Sequence, residues 1–340
     1  MKAISLIEPG RFEQIELPDV ETMALGSGQA LVRICHVGLC GTDIHAYHGD
    51  QPYFTYPRIL GHELGVEVVA VGEKVSKIET GMSCAVEAYL SEPGDRAFAR
   101  GKTNCSASTK CLGVHVDGGM REFMVLPADK LHPSDLPTRS LALVETLCIG
   151  HHAVKRAQLA GDEVVAVVGA GPIGLGVIQF ARLAGTRTVT VDISDERLQT
   201  ARQLYPGLET ARIEPRQSLQ DAWNDTGLEL PEVVWDCTGN KVSMEQSIEL
   251  AANGGKMVLV GIFNGKVSFS HPNAHRRELS LLCARNATAT DFRSVIHLIE
   301  SGLVNADAWI THECNAADFP KTIESWLAPG SGLLKGVIRF

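Results

Sequence analysis

Glu163–Gly176 reads EVVAVVGAGPIGLG, and this stretch decides the fold. Glu163–Gly169 is a nearly continuous apolar, β-branched run, the pattern of a strand buried on both faces of a parallel sheet. Gly169, Gly171 and Gly174 follow in the spacing G-x-G-x-x-G. Gly169 permits a tight turn, Gly171 lets the backbone approach a pyrophosphate, and Gly174 lets helix and strand pack closely. Pro172 and Ile173 open a helix whose unpaired N–H groups would face phosphates. Glycine-rich turns are common on their own. The strand before this one and the helix after it make it a dinucleotide site.

Downstream the texture alternates. Pro172–Ala184 is predicted helix and Thr188–Val191 strand. Asp195–Leu204 is helix, Glu232–Cys237 strand, Met244–Ala252 helix and Lys256–Gly261 strand. That is the pattern of a doubly wound α/β sheet. Asp192 ends the second strand, 18 residues after Gly174. A carboxylate there accepts hydrogen bonds from the adenosine ribose and repels a 2′-phosphate, which favours NAD over NADP. Ile193 and Arg197 complete this end of the site, and an arginine can also accommodate a phosphate.

Upstream, the first ~145 residues read as an irregular β-rich unit. Ala30–His36, Val66–Val71 and Glu122–Leu126 are strand-like runs separated by Gly, Pro and Asp. Ser140–Ala160 is predicted helix. After about residue 285, Asp291–Ser301 is predicted helix and Gly336–Phe340 a closing strand that returns to the β-rich unit. Two segments of that unit carry chemistry: Gly38–His45 (GLCGTDIH) and Gly61–Glu63 (GHE). Cys40 and His62 offer a thiolate and an imidazole for Zn²⁺. Glu63 or the distant Glu145 would complete the protein ligands, with one position left open. Asp43 is placed to hold a ligand imidazole by its second nitrogen. Thr42 and His45 could carry a proton from a buried alcohol to solvent. Each residue alone has an ordinary structural reading. Their clustering beside glycines, in a chain with a dinucleotide turn, favours a metal site.

Composition excludes other classes. The chain has 340 residues, 44% hydrophobic and 21% charged, as two globular domains require. A formal net charge of -9 argues against nucleic acid or an anionic membrane as partner. No apolar run reaches the roughly 18 residues of a membrane span. Met1–Arg11 lacks a secretory pattern. Nine scattered cysteines without a C-x-x-C pair suggest reduced thiols in a cytoplasmic protein.

In combination, GLCGTDIHAYHG (38–49), YPRILGHE (56–63), GVHVDGGMREF (113–123), GAGPIGLG (169–176), VDISDERLQTAR (191–202), DCTGN (236–240) and LVGIF (259–263) are highly specific. The chain resembles the zinc-dependent medium-chain dehydrogenases over essentially its whole length. Within them it is most similar to the polyol and sugar-acid branch, whose substrates include sorbitol, L-threonine and L-galactonate. Glu145 and Arg285-Asn286-Ala287-Thr288 support that branch. The resemblance implies a GroES-like catalytic domain, 1–147 completed by 286–340, and a Rossmann domain, 148–285. It implies one catalytic zinc on Cys40, His62 and a carboxylate, Glu63 or Glu145. Thr42 and His45 would be the proton relay, and Thr238, Val260, Gly261 and Ile262 would line the nicotinamide. The reaction implied is reversible oxidation of a secondary alcohol to a ketone with NAD. Arg285 could hold a substrate carboxylate, and His48, Tyr53 and Glu145 are hydroxyl partners for a polyhydroxylated substrate. A homo-oligomer, dimer or tetramer, is expected.

Two departures qualify the resemblance. Many relatives carry four cysteines for a structural zinc, but those slots here hold Glu92, Asp95, Phe98 and Ser106, with Cys105 beside a slot. No structural zinc is expected, since a tetrahedral sulfur site needs thiolates. A glycine usual two residues beyond Leu64 is Val66, with Gly65 before it. Alternative readings are a threonine-type or simple alcohol dehydrogenase and, from another class, a zinc-free dinucleotide-binding regulator.

Overall fold

Val164–Val168 forms the strand that its composition demands, and Val165–Val168 is buried. In the computed structural model, which describes residues 1–20, 25–51 and 54–340, it lies inside a six-stranded parallel sheet. The sheet order is Glu209–Arg212, Arg187–Asp192, Val164–Val168, Val233–Asp236, Lys256–Leu259 and Ser280–Cys283. In chain order this is 3-2-1-4-5-6, the doubly wound order that places a ligand crevice where the direction of winding reverses. The core of this unit, Leu147–Asn286, is built from Ala166, Val168, Val189, Val191, Trp223 and Val234 among others.

The second unit comprises Met1–Thr146 and Ala287–Phe340. Its seven-stranded sheet runs Leu131–Pro133, Ser83–Val86, Glu63–Val71, Gln29–Gly38, Lys335–Arg339 and Ile310–Asn315, with Phe123–Pro127 paired to Gln29–Gly38. The closing strand thus returns to the β-rich unit: Val337 pairs Gly38 and Ile338 pairs Val37, antiparallel. Its apolar residues join a core with Ile34, Val37, Leu64, Phe319 and Trp326. This pairing carries Lys335 beside the residues around Gly38.

Several elements differ from the sequence expectation. The helix expected over Ser140–Ala160 is two, Thr138–Leu141 and Val144–Ala157. The last strand of the alternation stops at Leu259, so Val260 and Gly261 lie beyond it, in the loop. Strands Glu209–Arg212 and Ser280–Cys283, and helices Leu219–Asn224 and Phe319–Leu327, were not expected at all. The two strands are partly or largely exposed and lie at the sheet edges; no apolar run marks Glu209–Arg212, and the apolar Leu281–Cys283 is too short to tell a strand from a helix.

Candidate active site and metal centre

Cys40 caps the helix Gly41–His48, whose first turn carries Thr42 and Asp43. His62 follows Gly61, whose backbone is left-handed (φ +96°). A Cβ at Gly61 would crowd Val37, and one at Gly38 would overlap the Glu63 carboxylate. Both glycines therefore let the two loops converge. The ligand atoms of Cys40, His62 and Glu63 lie within 4.8 Å of one another, with His62 and Glu63 buried. One thiol, one imidazole and one carboxylate form a donor set that fits zinc.

Asp43 ties these loops together. Its carboxylate accepts the Cys40 N–H at 3.0 Å and lies 3.8 Å from His62 Nδ1. The second distance is too long for a hydrogen bond, so the expected clasp on the imidazole is here an electrostatic contact. His62 Nδ1 is buried and has no hydrogen-bond partner among the described residues. Burial works to lower the basicity of His62, but the facing Cys40 and Asp43 carry it well above its ordinary value. Burial pushes the Asp43 carboxyl up, against the pull of His62. A site that gathers this much negative charge around one imidazole favours a cation. Thr42 Oγ1 is 3.3 Å from His62 Nε2, which places its hydroxyl beside the group.

Glu63 has a partner that no sequence motif announces. Lys335 Nζ donates to both of its oxygens, at 2.7 and 2.8 Å, and to the Leu39 carbonyl at 3.2 Å. Both side chains are buried. Burial opposes the charge on Lys335, and Glu63 more than restores it, so its pKa is raised. Glu145 stands outside the three-ligand group, buried, with the Tyr89 hydroxyl donating to it. Burial raises the Glu145 pKa, while the positive charge of His62 lowers it. Cys111, paired with Tyr89 across two short strands, is a half-buried thiol whose pKa the surrounding protein pushes up to about 12 by desolvation. Tyr89, Cys111 and Lys335 were missed. The one sequence signal for Lys335 is a cation opening a terminal strand whose interior, Gly336–Ile338, is apolar.

His45 is exposed, with Nδ1 2.9 Å from Asp50 Oδ1. His48 is exposed, its ring edge-on to Tyr47. Tyr53 lies outside the described residues. Arg285 is exposed, two residues after the edge strand Ser280–Cys283.

The lobe that in many relatives would hold four thiolates is tied by hydrogen bonds instead. Asp95 accepts from Phe98 N–H at 2.8 Å, Ala107 N–H at 2.7 Å and Ser106 Oγ at 2.9 Å. Glu92 exchanges two bonds with Ser108: its N–H donates at 2.9 Å and its carbonyl accepts at 3.1 Å.

In the parallel-sheet unit, Gly169 is left-handed (φ +96°), Gly171 caps the helix Pro172–Leu183, and a Cβ at Gly174 would overlap the Gly169 carbonyl. Pro172 and Ile173 form the first turn. Asp192 is buried at the end of its strand. It accepts the Ala170 N–H at 2.7 Å and the Ser194 N–H at 2.8 Å, so it also braces the glycine turn. Ile193 is 70% exposed, an apolar surface beside that carboxylate. Arg197 is exposed, and its backbone N–H caps onto Ser194. Arg212, in register with Asp192 and paired to Asp195 at 2.5 Å, is a second cation there that sequence reasoning missed. Thr238 is fixed by the buried Asp236, which accepts its N–H at 2.9 Å and its hydroxyl at 2.7 Å. A Cβ at Gly261 would overlap the Gly239 nitrogen, so these two loops touch through backbone. Val260 is buried, while Ile262 is 73% exposed.

Residues 26–138 match the alcohol dehydrogenase GroES-like domain, and residues 172–301 match the zinc-binding dehydrogenase domain. L-Galactonate-5-dehydrogenase of Escherichia coli K12 is 38% identical over 318 residues, 93% of each chain. Sorbitol dehydrogenase of Halalkalibacterium halodurans is 27% identical over 304 residues, 87% of this chain and 88% of the relative. Among solved structures, the short chain alcohol dehydrogenase RspB of Escherichia coli CFT073, complexed with NADH, matches with a TM-score of 0.90 at 26% identity, over 100% of this chain and 99% of that one.

Proposed function

The chain belongs to the zinc-binding alcohol dehydrogenases, and from that premise we propose that it oxidises a secondary alcohol of a sugar acid or polyol, such as L-galactonate, to a ketone with hydride transfer to NAD. The observation that carries the reading is the Cys40–His62–Glu63 group, with His62 and Glu63 buried and Thr42 against it. A regulator that only binds a dinucleotide has no physical need for those groups together.

Cys40 and His62 would hold one zinc ion. Glu63 is the preferred third ligand, because its oxygen lies within the group and Glu145 does not join it. When bound, zinc supplies the Lewis acidity that lowers the pKa of a substrate hydroxyl, and NAD supplies the hydride acceptor. Thr42 Oγ1 accepts the substrate proton and donates its own onward, since a hydroxyl does both. His45, which is exposed, passes the proton to solvent, since an imidazole can accept on one nitrogen and release from the other. Glu145, steadied by Tyr89, and His48 are proposed partners for substrate hydroxyls. Arg285 is the proposed fork for the substrate carboxylate.

In the parallel-sheet unit, the helix N-terminus at Gly171–Ile173 would bind the pyrophosphate, and Asp192 the adenosine ribose, which favours NAD. Thr238, Val260, Gly261 and Ile262 would line the nicotinamide. The hydrogen-bonded lobe around Asp95 supports a single zinc per chain. The largely exposed strand Ser280–Cys283, with Leu281 40% exposed at a sheet edge, is the proposed face of a homo-oligomer. Among the described residues no helix is long and apolar enough to cross a membrane. Among the described residues none of the nine cysteines forms a disulfide, which supports a reducing, cytoplasmic setting.

The test is NADH formation with L-galactonate, L-gulonate, sorbitol, xylitol and L-threonine, with and without chelator. Chelator-sensitive turnover of the acids is the expected result. Turnover of neutral polyols alone removes Arg285 from the substrate site. Turnover of L-threonine alone moves the enzyme to the threonine type. Zinc-free protein that stays inactive after zinc is restored refutes the enzyme reading.

A further inference from the structure

Helix Gly41–His48 ends in a turn that sets a carboxylate against His45. Gly49 adopts a left-handed backbone (φ +84°), and its N–H donates to the Ala46 carbonyl at 3.1 Å. The Asp50 N–H donates to the His45 carbonyl, also at 3.1 Å. These two reverse bonds are a Schellman ending, the usual way glycine stops a helix. It fixes the Asp50 backbone over the last turn. The Asp50 side chain then needs no long reach to bring Oδ1 to 2.9 Å from His45 Nδ1.

An ionised carboxylate only accepts hydrogen bonds, so the Nδ1 that meets it carries the hydrogen. In the neutral ring, Nε2 is then left with the lone pair, and the tautomer is set by the bond made at the other nitrogen. We infer that Asp50 is a positioning residue of the proton relay: it holds His45 as the Nδ1–H tautomer and presents Nε2 as the proton acceptor. The inference rests on the reading of Thr42 and His45 as that relay.

An exposed hydrogen bond of this kind does little for stability. The His45 and Asp50 side chains are 64% and 60% exposed. Its effect lies elsewhere. A relay imidazole must accept on one nitrogen and release from the other, so a ring of mixed tautomer and orientation spends part of its time unable to accept. One hydrogen bond held by a fixed turn removes that fraction. The GD pair at Gly49-Asp50 is the sequence trace of the device.

The test uses the full chain with ¹⁵N-labelled histidine, the His45 signals being assigned by their loss in H45Q. Wild-type His45 is expected as the Nδ1–H tautomer. D50A should move it toward Nε2–H. D50N, whose side-chain carbonyl still accepts, should keep it. With NAD and L-galactonate, D50A should lower kcat about five-fold at unchanged KM, a fraction of the hundred-fold or more of a full acid–base group. D50N should restore most of that loss, and D50A should lower kcat no further in the H45Q background. A His45 tautomer unmoved by D50A overturns the proposal, as does an equal loss from D50A with and without His45. If H45Q turns over like wild type while D50A still moves the tautomer, the relay reading has failed, and Asp50 only shapes a surface histidine.

Discussion

Replacing Lys335 by methionine tests the least visible part of the site. Methionine keeps the unbranched length of lysine and removes every donor. Lys335 donates at 2.7 and 2.8 Å to Glu63 and at 3.2 Å to Leu39. Glu63 is 0% exposed, so K335M strands a carboxylate in the interior. Breaking one side of a buried pair costs about 3–5 kcal/mol, because the remaining charge has neither water nor partner. The unit that holds the pair has about 200 residues, where 1 kcal/mol moves Tm by about 2–4 °C. A fall of about 10 °C follows, read by circular dichroism on chelated protein. E63Q/K335M should recover at least half of the loss, since a neutral amide is less costly to bury than a charge. Zinc should shrink the K335M penalty, because a cation on the carboxylate does part of what Lys335 does. A chelated K335M that melts within about 2 °C of wild type would refute the reasoning, since even a 1 kcal/mol loss reaches that size.

Asp192→Ser should cut kcat/KM for NAD about 10- to 100-fold, the value of one charged hydrogen bond to the ribose. It should raise use of NADP, because Arg197 and Arg212 flank the position, and kinetics with both cofactors will show whether the preference moves. The lobe around Asp95 should keep its protease resistance in chelator, and elemental analysis should find one zinc per chain. Hydrogen bonds from Phe98 N–H, Ala107 N–H and Ser106 hold the Asp95 carboxyl below its ordinary value. Its stabilising effect is therefore complete above the unfolded carboxyl pKa near 3.9 and fades as pH falls through the lower folded value. Limited proteolysis between pH 5 and 2 should show wild type loosening while D95N is already loose at pH 5. Buried Arg277 donates to the carbonyls of Ile248, Glu249 and Ala251 at the end of helix Lys241–Leu250. Arg277→Ala should destabilise that unit by about 3 kcal/mol, measured as the shift of its denaturant midpoint.

The fold was legible where physics forces a continuous signal. A strand buried on both faces must be apolar throughout, and Val164–Val168 is. A turn that brings helix and strand within backbone contact must lack a Cβ, and Gly174 does. Edge strands obey neither constraint. Ser280–Cys283 and Glu209–Arg212 are held by main-chain pairing on one side, with side chains partly or largely in solvent. Nothing in the composition of Glu209–Arg212 differs from a loop, and the apolar run at Leu281–Cys283 is too short to name its own structure.

The site divides along the same line. Cys40, Thr42, Asp43, His62 and Glu63 are legible because each sits in a short segment whose glycines and donor types are jointly required. Their partners are not, because a buried charge constrains only the sum of its surroundings and not the place in the chain that supplies the countercharge. Lys335 lies 272 residues from Glu63 and reaches it by way of a strand pairing. Tyr89 lies 56 residues from Glu145. What sequence can supply is the debt: Glu63 in a buried apolar strand needs a cation, and Lys335 opening an apolar terminal strand needs an anion. Joining them requires the register Val337↔Gly38, which brings the end of the chain to the strand that leads into Cys40. The pair therefore does two things at once. It neutralises the carboxylate, and through Leu39 it pins the residue before Cys40 to the terminal strand. Loosening the terminal strand should then disturb the proposed metal site before it unfolds the sheet, as a motif-only view of its residues would not anticipate.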